Sequence, residues 1–91
     1  MSKPTDEELK TALRTAMLMK EHGNDSDFLA KTLLNHHYRL PYLLDVLFAA
    51  DRYLNHGMAE REHTQLLRLI EKAKEAEEHI SKIEHYNFGL E

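Results

Sequence analysis

The chain has 91 residues, 42% of them hydrophobic, 8% aromatic and 31% charged, with a formal net charge of −4. That balance is too apolar for a disordered chain, too charged for a membrane-embedded one, and unfavourable for a basic grip on nucleic acid. Three glycines and two prolines are too few for a many-turned β fold, and the absence of cysteine removes disulfides, thiolate metal sites and thiol catalysis.

Punctuation divides the chain into helical stretches. Thr5 and Glu8 have the spacing of a capping box, with Asp6 and Glu7 adding negative charge to the first turn. Leu9, Ala12, Leu13, Ala16 and Met17 then recur at intervals of three and four until His22 and Gly23 close the helix. A polar loop, Asn24 to Asp27, leads to a second helix with Asp25 or Ser26 as its N-cap and Leu29, Ala30, Leu33, Leu34 and His37 on one side. Pro41 disfavours the α conformation at Leu40, so it ends that helix near Tyr38 and opens a third, or kinks a single longer one. Gly57 marks the next stop. The last stretch, from Ala59 to Tyr86, is the longest, at about 42 Å.

Faces say more than ends. Between Tyr42 and Leu54 apolar residues surround nearly the whole cylinder, leaving a thin polar stripe of Asp45, Arg52 and His56. That pattern predicts a central helix with Leu47 and Phe48 in the core. Leu66, Leu69, Ala73, Ala76, Ile80 and Ile83 follow the 3-4 spacing of a coiled-coil seam on a helix otherwise charged. The first helix carries four apolar residues in succession, Ala16 to Met19, more than one face can bury. Surplus apolar surface on so small a chain predicts self-association, with Leu18, Met19, Ala73, Ala76, Ile80 and Ile83 at the interface of a homodimer or against another protein.

Seven histidines raise the question of a metal. His22, His36, His37, His56 and His85 lie near predicted helix C-termini, where the helix dipole and unpaired carbonyls account for them. Glu60 and His63 form a Glu-x-x-His pair whose side chains share a helix face. The pair resembles the di-iron carboxylate motif of ferritin-like proteins, which implies a second such pair and two further carboxylates. Only one copy is present, so a dimer would have to supply the other, with Asp45 or Asp51 as the extra ligands. Glu75 and His79, four apart, read as a surface contact. Ser2, Ser26 and Ser81 have no base-bearing context, and Gly23, Gly57 and Gly89 are isolated, so neither a nucleophile nor a phosphate loop is prepared. Tyr38, Tyr42 and Tyr53 fit half-buried positions at bundle ends.

Together these readings predict an all-α fold: a small antiparallel bundle of four helices, or three with one kinked at Pro41, ending in a long helix. One domain is expected over residues 1–91, with 1–4 and 87–91 as flexible ends. Met1 to Glu8 has no signal-peptide core and the longest apolar run is broken by Asp45, so a cytoplasmic protein without a membrane span is expected. The expected function is a non-enzymatic, homodimeric protein–protein interaction module with no cofactor and no nucleic-acid partner. The alternative is a ferritin-like metal protein using Glu60 and His63 across a dimer.

Overall fold

The computed structural model describes residues 2–89, with side chains as far as residue 81. Those residues form three helices and no strand: α1 (Asp6–Glu21), α2 (Leu29–Asn55) and α3 (Glu60–Gly89). Chain contacts group them into two compact units, Met1–Tyr38 and Arg39–Glu91, and α2 passes through the division. Ile83 carries a seam position whose side chain lies outside the described residues, as do residues 90 and 91 of the expected flexible end. Residues 87–89 continue α3 beyond the expected stop at Tyr86.

In the first unit, the capping box forms as its spacing predicts. The Glu8 N–H donates to Thr5 Oγ1 at 3.1 Å, and the Thr5 N–H donates to Glu8 Oε1 at 2.7 Å. The helix ends in a Schellman turn: the Asn24 N–H reaches the Met19 carbonyl at 2.8 Å, and the Gly23 N–H reaches that of Lys20 at 3.2 Å. Gly23 supplies the positive φ of +67° this turn requires. Ala16 and Ala30 are almost wholly buried, so the apolar rows of α1 and the start of α2 in this unit rest on small side chains.

The start of α2 differs from expectation in position but not in chemistry. The helix begins at Leu29, after Asp25 and Ser26, yet Asp25 still satisfies its free donors. The carboxylate accepts from the Ala30 N–H at 2.8 Å and from the Lys31 N–H at 2.9 Å. The Ala30 N–H does most to hold the Asp25 carboxyl below its ordinary value; desolvation partly opposes it, and the N–H groups of Lys31 and Leu29 and the Lys20 charge add to the lowering. A depressed carboxyl stabilises the folded state fully above the ordinary aspartate range and loses that effect as pH falls through its folded value. Amide-exchange protection at Ala30 and Lys31 is therefore expected to fall over that acid window, and to be low at every pH in Asp25→Ala. Equal protection in the variant and the wild type would contradict this capping.

A separate third helix is not formed, because Pro41 lies inside α2. Without an N–H, Pro41 leaves the His37 carbonyl without its helical partner, a local cost that the helical pattern on both sides outweighs. Leu47 and Phe48, expected in the core, are 59% and 58% exposed. The apolar residues surrounding α2 are more than its neighbours cover, which corrects the reading of a central helix with Leu47 and Phe48 in the core.

The second unit contains the rest of α2 and α3. α2 ends in the same kind of turn as α1, with the Met58 N–H on the Tyr53 carbonyl at 3.0 Å and Gly57 at φ +78°. Met58 itself has φ +53°, a region costly for a side chain with a Cβ, and its side chain is exposed. Met58→Asn, which tolerates that region, is expected to raise stability by about 1 kcal/mol in chemical denaturation. An unchanged or lower midpoint would mean that the Met58 side chain makes a compensating contact.

Candidate functional site

Two heptad-like series run along the part of α2 in the second unit, offset by one residue. Arg39, Tyr42, Val46, Ala49 and Tyr53 follow a 3-4-3-4 spacing. This series faces α3. Arg39 Nε donates to Glu77 Oε1 at 2.6 Å, and the Tyr53 and His63 rings lie 5.5 Å apart, tilted by 57°. The contacts step backward along α3 as they step forward along α2. Ala49, Ala73 and Ala76 are buried, and small side chains there let the backbones approach closely.

One residue further on, Leu40, Leu43, Leu47, Ala50 and Leu54 repeat the same spacing, rotated by about 100°. Leu44 and Phe48 widen this second series, and its large side chains stay open to water. The sequence signal for this surface was present, since one helix carries two complete 3-4 series. In sequence the two series merge into one apolar cylinder, which does not show which of them the fold covers.

The sequence-predicted interface residues fall in different places. Leu18 is exposed on α1 beside Met17, and Met19 is half-buried. Ala73 and Ala76 are buried within the chain, and Ile80 is half-buried. Burial within the chain therefore removes Ala73 and Ala76 from any open face.

Other candidate features are less developed. A groove of about 350 Å³ in the first unit lies between Ala12, Ala16 and Met19 of α1 and Leu29, Ala30 and Leu33 of α2. A polar groove of about 410 Å³ on α3 is lined by Arg61, Thr64, Gln65 and Arg68. Glu60 and His63 are both exposed in the first turn of α3, and the His63 ring packs on Tyr53. Among the described residues, no three His, Asp or Glu side chains gather closely enough to hold a metal ion. Asp45 and Asp51 are exposed, and Asp51 Oδ1 accepts from Asn55 Nδ2 at 2.7 Å. Tyr42 and Tyr53 are half-buried as expected, whereas Tyr38 is exposed. No described helix is long and apolar enough to cross a membrane.

Comparison with known protein families, characterised proteins and solved structures finds no match. The functional reading therefore rests on the chain's own surfaces.

Proposed function

We propose that the chain is a small, cytoplasmic, non-enzymatic interaction module that works as a homodimer, each copy contributing antiparallel helices to one bundle. The observation that carries this reading is the imbalance between core and surface. The buried hydrophobic residues among those described are five alanines, while thirteen large apolar side chains are exposed. Alanine contributes little transfer free energy on burial, whereas each half-exposed Leu or Phe that a partner covers contributes about 1 kcal/mol. A chain with so little large-residue core gains stability by association.

Concentration dependence of thermal unfolding tests the reading. If folding and association are coupled, Tm rises by several degrees over about a hundredfold range of protein concentration. A Tm independent of concentration over that range would contradict it.

A further inference from the structure

Resting on the homodimeric reading, we infer that the second copy seats on the outer face of α2, the two α2 helices crossing antiparallel about a two-fold axis near Leu44. Leu40, Leu43, Leu44, Leu47 and Phe48 form one strip, with exposures of 50%, 46%, 37%, 59% and 58%. The strip lies on the side of α2 turned away from the series that meets α3 through Arg39 and Tyr53.

Area and pattern both select a second copy as its occupant. Five large side chains about half exposed present on the order of 500 Å², at the top of what a monomer leaves open. Doubled by a two-fold axis, with their flanks included, the strips approach the ~1,200 Å² at which specific interfaces begin. A two-fold contact requires one patch to complement itself, and a strip of leucines ending in a phenylalanine does so. About Leu44, Leu40 of each copy lies against Phe48 of the other. The seam on α3 does not compete, because Ala73 and Ala76 are already buried within the chain.

Asp51 sets the direction. It is exposed on the same strip, four residues after Leu47 and seven after Leu44. A parallel pair would bring the two Asp51 carboxylates together inside the seam, where like charges repel with water excluded. In the antiparallel pair each Asp51 falls beyond Leu40 of the other copy, and the two carboxylates stand about 21 Å apart along the axis.

The chain contains no cysteine, so single substitutions report distances without background. On air oxidation, Leu44→Cys is expected to give a disulfide-linked dimer in high yield. Leu40→Cys and Leu54→Cys are expected to stay unlinked, their copies being separated along the axis by about 12 Å and 30 Å. Leu47→Glu, at a position exposed within the chain, is expected to keep its helical circular dichroism and to raise the dimer dissociation constant at least about a hundredfold. A monomeric wild type would remove both the homodimeric reading and this interface. A dimeric wild type that links through Leu18→Cys or Ile80→Cys but not Leu44→Cys would overturn the interface alone. Linking at residues 40 and 54 as well as 44 would overturn the antiparallel crossing. Loss of helix in Leu47→Glu, under conditions where the wild-type monomer obtained by dilution keeps its helix, would show that this face is internal to the chain and would overturn the docking surface.

Discussion

Ala49→Leu is expected to destabilise the second unit by about 1–3 kcal/mol, the cost of forcing extra methylenes into a close-packed contact. Ala49 is 1% exposed, on the α2 series that meets α3 at Arg39 and Tyr53. In the register set by Arg39 on Glu77 and Tyr53 on His63, Ala49 stands level with the half-buried Leu66 and Ile70 of α3, which leave an added isobutyl group little room. The backbones would have to separate, stretching the 2.6 Å contact from Arg39 Nε to Glu77 Oε1 and displacing the Tyr53 ring from His63. In a domain of this size the loss is a large share of the total stability. Urea unfolding of the variant beside the wild type measures it. A change below about 0.5 kcal/mol would mean that the contact of α2 with α3 at Ala49 has room to spare.

The adjacent residue is expected to behave in the opposite way. Phe48→Ala should cost the isolated chain less than about 1 kcal/mol, because the side chain is already 58% exposed and alanine is the better helix former. Its effect falls on association. Two phenylalanines leave the two-fold interface at once, with an expected loss of about 3 kcal/mol, roughly a hundredfold in dissociation constant. Urea unfolding at a concentration well below dissociation isolates the first quantity, and concentration-dependent sedimentation gives the second. A loss of about 3–5 kcal/mol in the dilute chain would restore Phe48 to the core, the role its surroundings in the sequence suggest.

The contrast between residues 48 and 49 shows which parts of the structure were legible in the sequence. Local signals translated directly. The Thr5–Glu8 capping box, the turn closed by Gly23 and the stop at Gly57 are fixed by side-chain and backbone chemistry within a few residues. The capping role of Asp25 was legible too, though α2 starts a turn later than the simplest N-cap geometry suggests. Pro41 leaves a boundary or one longer helix as alternatives in the sequence, and the structure has the single helix, because the proline's cost is local whereas the helical pattern extends on both sides.

The candidate site was only half legible. Periodicity identifies which residues share a face of α2, but not how many neighbours the fold supplies to cover those faces. The spacing of Ala73 and Ala76 marks a seam on α3, and the chain's own burial of both residues is a matter of tertiary arrangement that spacing does not carry. Leu40, Leu43 and Leu44 are not legible as an interface in the sequence, because an apolar row beside another apolar row has the pattern of core. For Glu60 and His63 the sequence supplied the pair and the structure supplied a ring contact to Tyr53.

Sedimentation equilibrium of the untagged wild-type chain at tens of micromolar tests the central claim most directly. The account predicts a mass twice the 10.7 kDa of one chain, falling toward the monomer on dilution. A single species at 10.7 kDa up to high micromolar concentration would contradict it, and would leave the outer face of α2 exposed on a self-sufficient monomer.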